Sequence, residues 1–270
     1  MSSIVSNSQG KTGPVESRGF KGLLKAAYRR LRARRNNGNG RIKHIRRVDL
    51  LATYAARAAA PFFSDVLWNG RRHVPSRVSP HNVESRKVMY LTFDDGPHPE
   101  GTPQLLRTLE KYQIPASFFL QGNHAQEHPQ LTRDVAQAGH AIGNHSYSHM
   151  DAWMNSFADF ANELDQTTTL LEELLGQPLL WMRPPHGHFT KKIRGWCREH
   201  GQKLVMWDLM PADFVAWRTS VDIVASVDNH ARRGSIVVLH DSDTSLRVTP
   251  AALEQMLPRL IDSGWQFAAL

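Results

Sequence analysis

Two adjacent carboxylates, Asp94 and Asp95, follow an apolar run at residues 88–91. Gly96-Pro97 then ends the run. A buried strand that ends in a Gly-Pro turn points both acids toward whatever pocket lies at that end. Neighbouring like charges are costly unless a cation shares them or one acid stays protonated. The pair therefore indicates one metal ligand and one acid–base group, although Asp and Gly are also common in solvated turns.

Two histidines about fifty positions later strengthen the metal interpretation. His145 and His149 are four residues apart and follow Gly143-Asn144. At this spacing both imidazoles lie on one face of a helical turn and reach one metal ion. With one Asp of the upstream pair they make three protein ligands and leave an open position, as catalytic zinc sites do. A structural zinc site would need a fourth ligand, and the single Cys197 is not among the candidates.

Three further clusters follow strand-like or turn-forming segments. Arg183 is a permanent cation in the stiff sequence RPPHG (residues 183–187), and WDLMPADF (207–214) follows an apolar run. An apolar strand at 236–239 ends in His240, a suitable place for a general acid. Each cluster alone is a weak signal, but their order and their positions at strand ends point to one site.

In this order the clusters resemble the motifs of the polysaccharide deacetylases that share the NodB homology domain, carbohydrate esterase family 4. The resemblance covers roughly residues 86–270, about two thirds of the chain. Two positions depart from the family pattern: Phe214, where Trp is usual, and His186, where Tyr is common. Both touch the substrate pocket rather than the metal. The matching segments are TFDDGP (92–97), HSYSH (145–149), RPPHG (183–187), WDLMPADF (207–214) and LHD (239–241).

From residue 88 onward, apolar strand-like runs alternate with amphipathic helical segments. This alternation implies a parallel sheet, and the candidate residues follow strand ends, where barrel active sites lie. The resemblance implies an α/β fold, a distorted (β/α) barrel of about seven strands. The predicted strands are residues 88–93, 117–120, 141–143, 181–183, 203–207, 235–239 and 266–270. The predicted helices are residues 102–112, 129–137, 155–175, 191–200, 221–231 and 249–262.

The resemblance also implies a reaction, the hydrolysis of an N-acetyl amide on a sugar to a free amine and acetate. Asp95, His145 and His149 would hold a divalent metal; the ligand set suits Zn and also admits Co, Fe, Ni or Mn. This metal would polarise the amide carbonyl and lower the pKa of its bound water. Asp94 would be the general base, and Arg183 would pair with it and hold it ionised.

His240 would be the general acid that protonates the departing amine, and Asp213 would orient its ring. The backbone N–H of His186 would bind the oxyanion, while Leu239 and Trp207 would enclose the acetyl methyl group. The substrate would be an amino-sugar oligosaccharide, polysaccharide or lipid-linked sugar. The residues expected to contact this substrate are Pro185, His186, Trp207 and Leu239.

Two alternatives stay open at this point. The same metal site would serve a hydrolase of another amide, such as a formamide or a cyclic ureide. A non-catalytic carbohydrate-binding module would keep the fold without turnover, but the intact set of candidate residues argues against it. An assay for released acetate separates these interpretations.

Composition divides the chain into a basic N-terminal region (1–80) and a mildly acidic remainder (81–270). Residues 1–80 contain 17 Lys and Arg against 3 Asp and Glu, a net charge of +14, whereas residues 81–270 contain 16 against 22, a net of −6. A hydrophobic content of 41% is typical of a folded enzyme. The single Cys excludes an intramolecular disulfide. The expected organisation is a basic leader (1–40), a helical segment and loop packing on the barrel (41–85) and the deacetylase domain (86–270).

Residues 20–35 of the leader place apolar side chains at helical spacing among cations. Such a basic amphipathic helix would contact an anionic membrane surface; a solvated tail is the alternative, and no nucleic-acid-binding pattern is present. We find no secretory signal or membrane-spanning run, so the expected location is cytoplasmic, peripheral to the inner face of the membrane. A further helical segment is predicted in residues 47–68, ended by Pro61 and followed by Phe62-Phe63. Its apolar residues expected to cover the barrel are Phe62, Phe63, Val66, Leu67 and Trp68.

Overall fold

The structure is a computed structural model that describes residues 48–72 and 87–270. Asp49–Leu270 forms one compact unit. The basic leader, including the helix predicted at residues 20–35, lies outside the described residues. Among the helices that the structure describes, none is both long enough and apolar enough to cross a membrane.

Strands and helices alternate along the described chain. The strands are β1 (Lys87–Asp94), β2 (Ser117–Leu120), β3 (Ala141–Asn144), β4 (Trp181–Met182), β5 (Lys203–Leu204), β6 (Ser235–His240) and β7 (Trp265–Phe267). The helices are α1 (Val48–Ala59), α2 (Gly101–Lys111), α3 (Gly122–Glu127), α4 (Pro129–Gln137), α5 (Phe157–Leu175), α6 (Lys191–Glu199), α7 (Ser220–His230) and α8 (Thr249–Asp262). Short 3-10 turns lie at Ala60–Phe62, Gly70–Arg72 and Pro185–Gly187.

The described strands form one parallel sheet in the order β5-β4-β3-β2-β1-β6, and β7 pairs with the first residues of β1. The sheet curls into a half-barrel, which confirms the predicted α/β barrel of about seven strands. Because all these strands are parallel, their carboxyl ends lie at one edge of the barrel. That edge carries every motif named above.

Strand β1 shows how the sheet separates the core from the site. Met89, Leu91 and Phe93 are fully buried in a hydrophobic cluster that includes side chains of α2 and α8. Side chains alternate across a strand, so Thr92 and Asp94 face the other way. Both make hydrogen bonds with Arg183 inside the half-barrel. One face of β1 therefore packs against helices, and the other faces the candidate active site.

Two predicted strands differ from the observed ones, and one observed helix was not predicted. The strand predicted at 203–207 ends at Leu204, because the following residues cross toward β6, where Leu209 pairs with Val237. Helix α3 was not predicted, since its sequence GNHAQE lacks an apolar period. The last strand, predicted at 266–270, is Trp265–Phe267.

The segment before the barrel packs on it as far as the structure describes it. Val66, Leu67 and Trp68 are buried, in line with their apolar character. Phe62 is 69% exposed, so the prediction that it covers the barrel is wrong. Phe63 is partly buried and lies edge-on to Phe189, with ring centroids 5.3 Å apart.

Candidate active site

The loop after β1 holds Asp95 in a constrained conformation. Asp95 has a φ of 79° and precedes a cis Gly96–Pro97 peptide bond. Its carbonyl oxygen accepts a hydrogen bond from His124 Nδ1 at 2.8 Å, and its carboxylate accepts one from Gln121 Nε2 at 3.3 Å. Left-handed backbone is unfavourable for a residue with a Cβ, so these contacts keep the carboxylate in place. Sequence reasoning missed both Gln121 and His124, which belong to no motif.

The two motif histidines follow β3 in a loop rather than in the predicted helical turn. Ser146 and His149 both have left-handed backbone, with φ of 62° and 59°. The Glu163 carboxylate on α5 accepts the backbone N–H groups of Tyr147 and Ser148 at 3.1 and 2.8 Å. The helical-turn expectation is therefore wrong, although the loop still brings both imidazoles to one point. Glu163 carries no sequence signal that would have identified it.

Asp95, His145 and His149 lie close enough to share one cation. Asp95 Oδ1 is 3.2 Å from His149 Nε2 and 3.5 Å from His145 Nε2, and one ligand atom from each residue lies within 4.8 Å of the others. The Nδ1–H of His145 donates to the carbonyl of Arg183 at 2.7 Å. This bond fixes the tautomer and leaves the Nε2 lone pair directed at Asp95.

The protonation states of this set also fit a divalent metal. Burial and the neighbouring His145 lower the pKa of His149 to about 3, which keeps its imidazole neutral. Burial opposes ionisation of Asp95, but the adjacent His145 and the charge of His240 hold its pKa below the ordinary value. A carboxylate with two imidazoles is a donor set for Zn and other divalent first-row ions.

Arg183 is fully buried beside Asp94. Its Nη1 donates to Asp94 Oδ1 at 2.6 Å and to Thr92 Oγ1 at 2.8 Å. The guanidinium also lies over the Phe119 ring, 4.1 Å from its centroid. The other Asp94 oxygen, Oδ2, is 4.0 Å from His145 Nε2. Arg183 therefore occupies one carboxylate oxygen and leaves the other facing the histidines.

His240 ends β6 directly beside Asp94, its register partner in β1. Its Nδ1 donates to Asp213 Oδ1 at 2.8 Å, and Asp213 Oδ2 accepts from Thr249 Oγ1 at 2.6 Å. Burial lowers the pKa of His240, but the charge and hydrogen bond of Asp213 outweigh it and raise that pKa to about 9. Phe214 lies edge-on to the His240 ring with centroids 4.9 Å apart. The ring is thus held in its protonated form with Nε2 free of Asp213.

The structure brings only part of the predicted substrate-contacting set to the site. The His186 ring lies edge-on to His149, with centroids 4.6 Å apart, and Pro185 precedes it in a buried turn. Trp207 is largely buried, and its ring lies 5.9 Å from the Arg183 guanidinium. Leu239 lies in the hydrophobic core cluster instead, because strand alternation turns it away from His240.

Comparisons with known proteins agree with this geometry. The family model for polysaccharide deacetylases matches residues 81–205. A peptidoglycan-N-acetylglucosamine deacetylase of Bacillus cereus is 35% identical over 189 residues, which are 69% of this chain and 87% of that protein. A chitooligosaccharide deacetylase of Azorhizobium caulinodans is 31% identical over 59% of this chain and 76% of its own length.

A solved structure gives the same assignment. The crystal structure of a peptidoglycan N-acetylglucosamine deacetylase bound to a 4-naphthalenyl-N-oxidanyl-benzamide has a TM-score of 0.66 at 30% identity. The match covers 69% of this chain and 87% of that one. The chain belongs to the polysaccharide deacetylase family. It is a hydrolase that acts on carbon–nitrogen bonds other than peptide bonds.

Proposed function

We propose that the chain removes N-acetyl groups from an amino-sugar-containing oligosaccharide, polysaccharide or glycolipid and releases acetate. The observation that carries this proposal is the grouping at one edge of the barrel. An Asp95–His145–His149 set lies beside a buried Arg183–Asp94 pair. Relatives named for deacetylation of peptidoglycan N-acetylglucosamine and of chitooligosaccharides support the substrate class.

Asp95, His145 and His149 would hold the divalent metal, and we propose zinc as the ion. A bound divalent ion would supply Lewis-acid polarisation of the amide carbonyl and lower the pKa of a water molecule. Asp95 supplies the negative charge of the site. Burial keeps the His149 imidazole neutral, and the bond to the Arg183 carbonyl orients His145.

Asp94 would act as the general base. Its Oδ1 is held by Arg183, so its Oδ2 is the oxygen that takes a proton from the attacking water. The water oxygen forms the new bond to the amide carbon. The buried guanidinium fixes the direction of the carboxylate through a charge-assisted hydrogen bond.

His240 would act as the general acid. Asp213 binds Nδ1, so the proton on Nε2 is the one delivered to the amide nitrogen as the C–N bond breaks. The second water proton stays on the carboxyl product, so the products are a neutral amine and acetic acid, which ionises to acetate. An amide nitrogen leaves poorly without a proton, and the Asp213–His240 pair supplies one at neutral pH.

Two assays test the proposal. N-acetylglucosamine oligomers and undecaprenyl-linked N-acetylhexosamines would be incubated with metal-loaded protein, and mass spectra and free acetate measured. Loss of one acetyl group with matching acetate is the expected result. Turnover of a formamide or cyclic ureide without acetate release would favour the other amide hydrolases. Oligosaccharide binding with no turnover would favour a non-catalytic module.

We also propose a cytoplasmic location at the inner face of the membrane. The single Cys and the net charge of +14 in residues 1–80 support it. An anionic lipid surface attracts clustered Lys and Arg. A lipid-linked amino sugar would then lie within reach of the enzyme.

A further inference from the structure

A segment ahead of the barrel pairs with the edge of β5 that faces away from β4. We name residues 63–70 the brace. The N–H of Leu67 donates to the carbonyl of Leu204 at 2.9 Å, and the N–H of Met206 donates to the carbonyl of Leu67 at 2.8 Å. Leu67 and Val205 thus form a parallel bridge. The brace satisfies buried backbone groups that would otherwise lack partners at this edge.

Several contacts fix the brace on the barrel. Asp65 accepts two hydrogen bonds from Arg194, at 2.8 and 2.6 Å. The N–H of Gly70 donates to the carbonyl of Gly234 at 2.7 Å. A Cβ at Gly70 would lie 2.1 Å from the ring of Tyr90, which is only 1% exposed. The brace therefore lies directly against β1 with no room for a side chain at position 70.

One peptide group links the brace to the catalytic arginine. The unit between Val205 and Met206 donates its N–H to Leu67, and its carbonyl accepts from Arg183 Nε at 3.4 Å. The next carbonyl, that of Met206, accepts from Arg183 Nη2 at 3.1 Å. A peptide unit is planar, so fixing its N–H also fixes its carbonyl. Leu67 thereby orients one acceptor of the guanidinium, the Val205 carbonyl.

A second contact, made by helix α1 ahead of the brace, leads toward the general acid His240. Thr53 of α1 is buried, and its Oγ1 accepts the N–H of Met210 at 3.1 Å. Met210 lies three residues before Asp213, which holds His240. The chain ahead of the barrel therefore contacts the backbone on the approach to both acid–base residues.

We propose that the brace is a positioning element of the active site. Leu67 orients the Val205–Met206 peptide, this peptide orients Arg183, and Arg183 orients Asp94. The inference rests on the proposed function, because it takes Asp94 as the base. The brace lies outside residues 81–205, so the family match does not account for it.

The test displaces the brace without touching the catalytic residues. Gly70→Ala introduces the clash with Tyr90, and Tyr90→Leu in the same chain removes the ring and relieves it. Gly195→Ala is the matched control, since its new Cβ would meet no atom closer than 3.9 Å. Val135→Ala, at a fully buried position of α4, controls for lost stability. All variants would be compared as full-length, metal-loaded protein at temperatures where they are folded.

The readouts are kcat, KM, metal content and the NMR signal of Arg183 Nε–H. In Gly70→Ala we expect kcat to fall about tenfold or more, because small misplacements of catalytic groups have effects of this size. KM and metal content should stay near the parent values, and the Arg183 signal should shift. The double variant should recover both kcat and the signal. Neither control should change them.

Two results would overturn the inference. One is a Gly70→Ala variant in which the Met206 N–H exchanges faster, which shows that the brace has moved, while the Arg183 signal is unchanged. The other is a double variant that recovers the signal but not kcat. If the parent releases no acetate, the proposed function fails, while the Arg183 signal still decides whether the brace orients this side chain.

Discussion

At the scale of single residues, the two neighbouring carboxylates have different partners, so their substitution should have different effects. Asp94 bonds Arg183, whereas Asp95 faces the histidines. Asp94→Asn should lower kcat about a hundredfold or more and leave metal content unchanged. Asp95→Asn should lose metal. The measurements are acetate release and metal analysis by mass spectrometry. Loss of metal in Asp94→Asn with retention in Asp95→Asn would reverse the assignment.

The protonation of His240 should set an upper pH limit for kcat. Asp213 raises its pKa from the ordinary 6.5 to about 9 against the effect of burial. The protonated form is the acid, so kcat should fall as pH rises through the folded pKa. The stability from this pair is likewise complete below pH 6.5 and lost as pH rises through about 9.

Asp213→Asn removes the charge that favours protonated His240. The basic limb of the pH profile of kcat should therefore move to lower pH, and kcat at pH 9 should fall further than kcat at pH 7. Asp243→Asn is the control, because Asp243 is 93% exposed and pairs with His98 instead. A profile unchanged by Asp213→Asn would argue against His240 as the acid.

At the scale of elements, the loop of residues 145–149 depends on α5. Glu163 accepts two loop N–H groups and the Ser148 hydroxyl, the last at 2.6 Å. Glu163→Ala should lower metal affinity about ten- to hundredfold, because groups that orient ligands have effects of this size. Competition with a chelating dye measures it. Glu173→Ala, exposed on the same helix, should have no effect, and equal affinity in both variants would contradict the role.

The same elements show what the sequence could predict. Strand-end motifs located Asp94, Asp95 and His240, because parallel strands collect their carboxyl ends at one edge. The spacing of His145 and His149 suggested a helical turn, yet left-handed residues and Glu163 produce the same convergence without a helix. Glu163 and Ser148 are 15 residues apart in the sequence, so their contact leaves no local sequence pattern.

The alternation of side chains along β6 could have shown that Leu239 does not face the site, although the motif places it next to His240. Leu239 adjoins His240 in sequence, but neighbours in a strand face opposite sides, so Leu239 packs in the core. Val238 shares the parity of His240 and is also fully enclosed. The apolar residues of the brace predicted that it packs on the barrel, but its contacts with the site left no sequence signal, since they are made by backbone groups.

At the scale of the whole molecule, charge separates residues 1–80 from the deacetylase domain. Residues 1–80 carry a net of +14 and residues 81–270 a net of −6. Within the leader, Phe20, Leu23, Leu24, Ala27 and Leu31 fall on one stripe of a predicted helix. Anionic lipid attracts nearby cations by about 1 kcal/mol per Lys or Arg, and an apolar stripe adds buried area.

Deleting residues 1–40 should therefore weaken binding to vesicles that contain phosphatidylserine and leave kcat on a soluble oligosaccharide unchanged. Deleting residues 1–70 should instead give insoluble or inactive protein, because it removes the brace and the buried Trp68. Vesicle sedimentation at low and high salt measures the binding lost on deletion of residues 1–40. The double substitution Leu23→Ser and Leu24→Ser separates the contribution of the apolar stripe to binding from that of the charge. Salt-independent binding that is equal with and without residues 1–40 would show that the leader is a solvated tail, because electrostatic attraction to lipid must weaken as the Debye length shortens.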